Sequence, residues 1–385
     1  MAADILNKMD ANGKTEVTNV LPKDIGTDYS FKRQIVWKNA IGFLIFHLMG
    51  LWGLWLMVSQ VTWKTFFWSW FVLFCASEGV TIGAHRLYSH KAFKARPLLR
   101  AVLIFLQTMA GQNCMYIWVR DHRLHHRYSD TDADPHNAKR GFFFCHIGWL
   151  MSKKHPYVKL MGKNIDMSDL EADWMVMFQK RFYKTLYVIC AILLPVWVPV
   201  HFFGESWLHS FLVVYVCRTV LQLNGTWLVN SAAHIYGTRP YDKNLQPVES
   251  WFVSMISLGE GWHNYHHAFP WDYKAAELPT LFNQTAHIIK FFERIGLAYD
   301  LKVVPQDMIK NRIHMTGDGT HYEYGNDEAR SSVEARGPLH PLNPTYNTTF
   351  KAPQPVLKKE GLPLYHETDL VKETKIRHRP IGLAH

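Results

Sequence analysis

Cysteine is scarce in this 385-residue chain, which contains five cysteines and no C-x-x-C pair. They stand mostly among apolar residues, which is typical of small buried side chains rather than of a disulfide or zinc framework. Charged residues make up 19% of the chain, below the roughly 25% of typical soluble proteins. Hydrophobic residues make up 48% and aromatic residues 14%. This composition excludes a chain that is disordered throughout and a purely basic nucleic-acid module, so no nucleic-acid partner is expected.

A cleavable N-terminal signal is not expected either, because residues 1–36 are polar with mixed charge and the first apolar run starts near Ile41. The chain carries a net charge of +10. Two explanations of this charge stay open: attraction to anionic lipid head groups, and an anionic substrate such as a phosphate ester.

Four apolar runs are long enough to cross a bilayer, since about 20 apolar residues span the hydrocarbon core as a helix. These runs are residues 41–58, 66–84, 186–203 and 207–229. Short links join the first run to the second and the third to the fourth. The pattern predicts an all-α integral membrane protein with four transmembrane helices in two hairpins. Two shorter apolar stretches, 98–109 and 141–151, are predicted to be interfacial or buried helices. Arg218, inside the fourth run, is expected to face protein or water.

Basic residues predict the orientation. Seventeen Lys or Arg residues lie between the second and third runs, from Arg86 to Lys184, whereas the two hairpin links carry only Lys64. Because positive charge is enriched on the cytosolic side, both termini and the central segment, a helical cap, are expected in the cytosol. The predicted divisions are a cytosolic N-terminal segment (1–36), a membrane domain (37–302) and a polar cytosolic tail (303–385).

Histidine is abundant, with 22 residues, and its placement is regular. H-R-L-Y-S-H occupies 85–90, H-R-L-H-H occupies 122–126, and H-N-Y-H-H occupies 263–267. On a helix, positions i, i+3 and i+4 share one face, so each H-x-x-H-H triplet can converge on one site. His234 follows the fourth run and is expected to join them. Asn230, one turn earlier, is placed to reach the same metal through a water.

Nine such imidazoles exceed the four ligands of a structural zinc, which favours two metal ions that share them. Carboxylates that could orient the rings are nearby, at Asp121, Asp130, Asp132, Asp134 and Glu260. Isolated histidines in juxtamembrane loops are more often solvated polar residues, and this is expected of His136, His146, His155, His201 and His209. The cap is thus predicted to carry a histidine-rich di-metal site.

Two competing metal signatures are missing. H-E-x-x-H does not occur, which argues against a zinc protease. A carboxylate-bridged di-iron bundle needs two Glu-x-x-His pairs and two further glutamates, and Glu260 with His263 provides a single pair.

The histidine motifs resemble those of the membrane acyl-CoA desaturases, the stearoyl-CoA desaturase family, and most closely its insect members, which include pheromone-gland types. The resemblance covers roughly residues 32–305 and rests on GAHRLYSH (83–90), WVRDHRLHHRYSDTDADPHNAKRGFFF (118–144), HIGWLMSKKHP (146–156), TWLVNSAAH (226–234) and GEGWHNYHHAFPWDY (259–273). The HPGG haem motif of members with a fused electron carrier is absent. The chain therefore resembles the stand-alone type, which receives electrons from separate cytochrome b5 and its reductase.

The resemblance implies an endoplasmic reticulum oxidoreductase with a di-iron centre. Such an enzyme uses O2 and two electrons to introduce a double bond into a saturated or monounsaturated long-chain acyl-CoA, in unsaturated fatty acid or sex pheromone biosynthesis. The implied metal ligands are His85, His90, His122, His125, His126, Asn230 (through water), His234, His263, His266 and His267. No further catalytic residue is implied. A redox-active metal suits this chemistry, because a methylene C–H has no acidity that a general base could use.

The family match also implies substrate contacts. Those to the CoA moiety are Asn39, Arg120, Asp121, Lys153 and Lys154. Those to the acyl chain near the metals are Gln112, Asn113, Thr226 and Trp227. The chain end is expected near Leu73 and Ser77 on the second run.

Two alternatives remain at this point. A fatty acyl hydroxylase or conjugase would keep the same scaffold and change the product. A histidine-rich membrane metal transporter belongs to another class, and its ligands would lie within the spans along a pathway rather than at one end. The position and geometry of the double bond and the preferred chain length are left open.

Overall fold

The fold is almost entirely helical over residues 25–278 and 283–336, which the structure, a computed structural model, describes. The helices are α1 (Trp37–Ser59), α2 (Trp63–Ser89), α3 (Pro97–Ala110), α4 (Met115–Arg127), α5 (Pro156–Gly162), α6 (Ser168–Glu171), α7 (Trp174–Phe203), α8 (Trp207–Ile235), α9 (Trp251–Ile256), α10 (His263–Ala268), α11 (Gln284–Arg294), α12 (Gln306–Thr316) and α13 (Asp327–Arg336). Two short strands, β1 (Lys94–Ala95) and β2 (Ala298–Tyr299), form an antiparallel pair.

The prediction of four spans is confirmed: α1, α2, α7 and α8 are long and apolar enough to cross a membrane. Each begins with a tryptophan, and all four of these side chains are more than half exposed. Tryptophan is enriched where a helix meets the membrane–water interface. The helix α7 begins at Trp174 rather than at residue 186, because its first turns are amphipathic and carry Lys180 and Arg181, which a search for apolar runs passes over.

The two shorter apolar stretches behave differently. The predicted helix at 98–109 is present as α3, which meets α4 at an angle of 84°. The stretch 141–151 contains one short helix at residues 142–148, of which Phe144–Gly148 is π-helical. The bend between α3 and α4 keeps α3 against α2 and directs the histidines of α4 toward the same end of the spans.

Glycine allows α2 and α3 to pack closely. A Cβ atom at Gly79 would lie 2.4 Å from the backbone N of Gln107, and one at Gly83 would lie 3.3 Å from Cβ of Leu103. Small residues four positions apart are typical of close helix contacts in membranes. This contact fixes the end of α2 that carries His85.

Arg218 is buried in α8, as predicted, and is bonded to protein. Its guanidinium donates hydrogen bonds of 3.1 Å to the carbonyls of Met109 and Ala191, and one of 3.0 Å to Oε1 of Gln222. These bonds join α8 to α3 and α7 in the interior, where an unpaired charge would be costly.

Glu205 ties the two hairpin links together. Its Oε2 accepts hydrogen bonds from the backbone N–H of Thr62 and from the Thr65 hydroxyl, both at 3.1 Å. The carboxylate is buried and also lies 3.2 Å from Nδ1 of His209. This polar cluster around Glu205 therefore holds the two hairpin links together at the end of the spans opposite the histidines.

The described part of the predicted tail, residues 303–336, contains α12 and α13, and its remainder lies outside the described residues, as do residues 1–24 of the N-terminal segment. His321 packs against the cap, with Nε2 2.9 Å from Oε2 of Glu277. The apolar side chains of Ile309 and Ile313 pack with Tyr265, which lies between the histidines of α10.

Candidate metal centre

His85 and His90 lie on a π-helical segment, Gly79–Ser89 with its cap, at the end of α2. The backbone N–H of His90 donates to the carbonyl of His85 at 3.2 Å, which is the i→i+5 bond of a π-helix. On an α-helix, residues five apart would point about 140° away from each other. The wider turn brings the two rings to a centroid distance of 5.0 Å.

The two H-x-x-H-H triplets lie on α4 and α10, where the spacing places each triplet on one helix face. His234 lies close to the end of α8. Helices that are distant in sequence therefore bring their imidazole rings close together. The contacts join His85 to His266, His90 to His122 and His125 to His267, with Nε2–Nε2 distances of 2.9, 2.8 and 3.3 Å.

Among the described residues, the nine histidines predicted from sequence fall into two groups, within each of which the ligand atoms lie within 4.8 Å of one another. Group A contains His85, His90, His122, His126 and His266. Group B contains His125, His234, His263 and His267.

Three carboxylates orient these rings. Nδ1 of His85 lies 2.9 Å from Glu260, Nδ1 of His125 lies 2.8 Å from Asp134, and Nδ1 of His234 lies 3.1 Å from Asp130. An ionised carboxylate only accepts hydrogen bonds, so each Nδ1 carries the proton and Nε2 keeps its lone pair. This is the usual arrangement around metal-binding histidines.

Two of the five carboxylates expected to orient the rings have other partners. Asp121 pairs with Arg120 and Lys154, at 2.6 and 2.7 Å. Asp132 pairs with Arg140. Neither carboxylate is bonded to a histidine of the two groups in the described part of the chain.

Burial, together with neighbouring imidazoles, holds the pKa values of His263, His266 and His267 well below the usual range. These imidazoles are therefore neutral, the form that binds metal. Burial alone would raise the pKa of Glu260, but the charge of Arg86 and the contact with His85 lower it to about 2. A carboxylate ionised beside neutral rings favours a bound cation.

The residues present fit a pair of metal ions. Nε2 of His266 lies 2.9 Å from Nε2 of His85 and 3.1 Å from Nε2 of His126, so a cation placed among these ring nitrogens could accept a lone pair from each. Imidazole ligands suit iron, copper, nickel and zinc, whereas calcium and magnesium prefer oxygen. Groups A and B could thus each hold one transition-metal ion.

The expectation of solvated side chains was wrong for His136 and His146. His136 is buried, with a ring centroid 4.4 Å from that of His125. Burial lowers the pKa of His136 to about 3, so its ring is neutral. His146 lies between Ser231 and Asn224, at 2.9 and 3.1 Å. The contacts of His136 and His146 come from other elements, α4 and α8, which local sequence patterns do not reveal.

A cavity of about 340 Å³, here called the inner cavity, opens beside group A, and His122 forms part of its wall. All four predicted acyl-chain residues line it, together with Asn230. Those four are Gln112, Asn113, Thr226 and Trp227. Gln112 donates a hydrogen bond of 2.8 Å to the Thr226 hydroxyl, which joins the α3–α4 turn to α8.

A second cavity of about 620 Å³, the outer cavity, is lined by Arg120, Asp121 and Lys154, and Asp121 lines both cavities. Of the other predicted CoA contacts, Lys153 is exposed, and Asn39 donates to the carbonyl of Leu150 at 2.9 Å. Neither belongs to the walls of these two cavities.

The predicted chain-end residues, Leu73 and Ser77, are half-buried on α2 and are not part of the inner cavity wall. Three membrane helices contribute aromatic side chains to this wall: α1 through Phe43, α7 through Tyr183 and Tyr187, and α8 through Trp227. Tyr187 bonds Tyr215 at 2.7 Å through their hydroxyl groups.

Sequence reasoning also missed Arg86, although it stands inside the first histidine motif. Its guanidinium is buried and donates to Oε1 of Glu260 at 2.8 Å and to the carbonyls of Tyr273 and Lys274 at 2.9 and 3.0 Å. It thereby fixes the carboxylate that orients His85. Trp118 was missed as well, and it stacks on His122 at a centroid distance of 4.9 Å.

Four apolar helices and two neighbouring imidazole groups suited to metal ions are the features of a membrane-embedded metalloenzyme. Residues 63–300 match the fatty acid desaturase family. The chain belongs to this family. It is 50% identical over 296 residues to an acyl-CoA Delta-9 desaturase of Acheta domesticus, covering 77% of this chain and 82% of that protein.

Two further relatives are equally similar. An acyl-CoA Delta(11) desaturase of Spodoptera littoralis is 50% identical over 291 residues, covering 75% of this chain and 86% of that protein. The human stearoyl-CoA desaturase is 49% identical over 290 residues, covering 75% and 80%. The comparisons favour a desaturase over a metal transporter, and the position of the histidines at one end of the spans agrees.

Proposed function

We propose that this fatty acid desaturase acts on a long-chain fatty acyl-CoA and removes two hydrogens from neighbouring methylene groups. In the balanced reaction, O2 takes up two electrons, two protons and the two substrate hydrogens, which leaves a C=C bond and two molecules of water. The observation that carries the proposal is the position of the two cavities: His122 lines the inner cavity, and Asp121 lines both the inner and the outer cavity.

The outer cavity suits the CoA moiety, because Arg120 and Lys154 offer charged donors to phosphate groups. The inner cavity suits the acyl chain, since Trp227 and Tyr187 provide aromatic walls and the polar side chains of Gln112 and Thr226 are hydrogen-bonded to each other. Asn39 and Lys153 are proposed as further CoA contacts, and Leu73 and Ser77 as contacts of the chain end.

The nine histidines of groups A and B are proposed to hold two iron ions, with Asn230 acting through water. When bound, such a pair supplies the oxidising power and the O2 chemistry that side chains lack. The side chains hold the imidazoles neutral, orient them through Glu260, Asp134 and Asp130, and position a methylene group in the inner cavity.

Cytochrome b5 and its reductase are proposed as the electron source, because the third histidine motif, with His263 in its first position, resembles that of the stand-alone members of the family. The excess of Lys and Arg between the two hairpins supports an orientation with both termini and the cap in the cytosol, in the endoplasmic reticulum membrane. The proposed membrane domain, 37–302, contains the family match at 63–300.

Sequence similarity does not indicate where the double bond is introduced, because a Delta-9 and a Delta(11) relative are both 50% identical to this chain. Expression in a desaturase-deficient yeast, followed by mass-spectrometric location of the double bond, tests the function. We expect new monounsaturated acyl chains from the wild type and none from the His266→Ala variant. A hydroxylated or conjugated product would assign the alternative chemistry. Unchanged lipids with altered metal uptake would assign a transporter.

A further inference from the structure

Two half-buried histidines that belong to neither group A nor group B share a hydrogen-bond partner. They are His47 on α1 and His146 in the short helix at residues 142–148, and their partner is Asn224 on α8. His47 lies within a membrane span, where a polar side chain is costly unless it is paired. The three residues therefore form a polar connection between helices that are distant in sequence.

The direction of each hydrogen bond in this connection is fixed. Nδ2 of Asn224 donates to the carbonyl of Val220 at 2.8 Å, which sets the orientation of the amide, since a carbonyl oxygen only accepts. Oδ1 of Asn224 then accepts from Nε2 of His146 at 3.1 Å, and Nδ2 also donates to Nε2 of His47 at 3.2 Å. Nδ1 of His47 donates to the carbonyl of Phe43 at 2.7 Å. A continuous hydrogen-bond chain thus runs from His146 through α8 to α1.

This hydrogen-bond chain surrounds Trp227, which lines the inner cavity and is only 3% exposed. The ring of His146 meets the indole edge-on at a centroid distance of 5.7 Å, and the ring of His47 stacks on it at 6.1 Å. Phe43, whose carbonyl ends the chain, contacts the same indole at 5.8 Å. Three rings are therefore held against one side chain of the cavity wall.

Both ring nitrogens of His146 are bonded to α8, on either side of Trp227. Nε2 is bonded to Asn224, three positions before Trp227, and Nδ1 lies 2.9 Å from Oγ of Ser231, four positions after it. Positions i−3 and i+4 share the helix face of position i. The imidazole of His146 therefore cannot move away from the indole without breaking one of these contacts.

The position of this indole matters for the reaction. Trp227 and its neighbour Thr226 line the inner cavity together with His122, a member of group A. The walls of the cavity place a methylene group relative to the proposed metal centre. At a reacting centre, a displacement of about 1 Å can lower the rate on the order of 100-fold.

We propose that the hydrogen-bond chain of His47, Asn224 and His146 fixes the indole of Trp227 and thereby determines which methylene group of the acyl chain is desaturated. The three residues are positioning residues that act through Trp227. The inference rests on the proposed desaturase function.

The test uses the purified enzyme with cytochrome b5 and its reductase. The readouts are kcat, KM for stearoyl-CoA and the double-bond position located by mass spectrometry. The His146→Phe variant keeps a ring against Trp227 and removes both nitrogens, whereas His146→Gln keeps an amide N–H that can donate to Asn224. The His47→Phe variant breaks the hydrogen-bond chain at its other end.

The matched control is His201→Phe. His201 is exposed and stacks on Trp197 at 4.8 Å, and neither residue lines the inner or the outer cavity. The control therefore removes a histidine from a tryptophan that does not contact the acyl chain, and it should leave the product unchanged.

We expect kcat of the His146→Phe and His47→Phe variants to fall about 10- to 100-fold with KM nearly unchanged, because the outer cavity stays intact. Their products should contain double bonds at more than one position, whereas wild type and control should give one position. The His146→Gln variant should restore the wild-type position and most of kcat.

A single, unchanged double-bond position in the products of both phenylalanine variants would overturn the inference, whatever their kcat. If His146→Phe does not fold, the products of His47→Phe decide alone. Failure of His146→Gln to restore the wild-type position would also overturn it, because the hydrogen bond to Asn224 would then be irrelevant. Wild-type enzyme that forms no unsaturated product would instead refute the proposed function, so the two failures are distinguishable.

Discussion

The imidazole rings of His126 and His267 stack, with centroids 4.1 Å apart and planes 13° from parallel. His126 belongs to group A on α4, and His267 belongs to group B on α10. This stacked pair therefore lies where the two groups touch. We expect that removal of one ring also displaces the other ring, and with it a ligand of the other group. The ring of His234 contacts three group B rings, those of His125, His263 and His267.

The stacking of His126 on His267 predicts that two group B variants lose different amounts of metal. The His267→Ala variant removes a group B ligand and the ring on which His126 rests, so we expect it to retain well under one iron per chain. The His234→Ala variant should retain about one iron, since group A stays supported. Iron analysis of the purified variants checks this. Equal retention in both would show that the stack does not couple the groups.

We predict that replacement of Lys154 weakens the binding of the acyl-CoA substrate. The Lys154→Ala variant removes a charged donor of the outer cavity, so KM for stearoyl-CoA should rise up to about tenfold at low salt, with kcat nearly unchanged. The difference should shrink at high ionic strength. Lys290→Ala, at an exposed ion pair with Glu293, is the control. A fall in kcat at constant KM would contradict the proposed CoA contact.

Gly79 predicts a packing effect. In the Gly79→Ala variant the new methyl group would lie 2.4 Å from the Gln107 backbone, so α2 and α3 must separate, which costs roughly 1–3 kcal/mol. Gly42→Ala, where nothing lies within 4 Å of the added Cβ, is the matched control. Thermal unfolding in detergent measures both variants. Similar melting temperatures would mean that the helices adjust without strain.

Glu249 predicts a pH dependence of stability. Burial raises its pKa to about 8 from the usual 4.5. The folded state thus holds a proton that the unfolded chain releases, so its contribution is full below pH 4.5 and is lost as the pH rises through 8. The decline should be about 1.4 kcal/mol per pH unit between these values.

The Glu249→Gln variant should remove this decline while keeping an oxygen that accepts from the Tyr265 backbone N–H, at 2.8 Å in the wild type. Unfolding midpoints between about pH 6 and pH 9 provide the comparison, and Glu293→Gln serves as a surface control. Parallel curves for wild type and Glu249→Gln would show that the carboxyl is already ionised in the folded protein.

Patterns within one stretch of sequence predicted the structural features that are determined by that stretch alone. The four spans follow from apolar length, and the convergence of His122 with His125 follows from helix periodicity. The π-helical turn at His85 could not be predicted in this way, because it depends on how α2 packs against α3 at Gly79. His136 was missed for a similar reason: its burial is produced by contacts with the distant residue His125 and with Trp149.

The wide turn that carries His85 and His90 has a consequence for how this enzyme can vary. Removing one of the four residues between them would leave a spacing of four, which an ordinary helical turn also places on one side. An α-helical turn could then place the same two rings on one side, provided that the i→i+5 hydrogen bonds of the π-helix were replaced by i→i+4 bonds when the residue was deleted. Insertion of a residue has no such remedy, so we expect this stretch to tolerate shortening far better than lengthening.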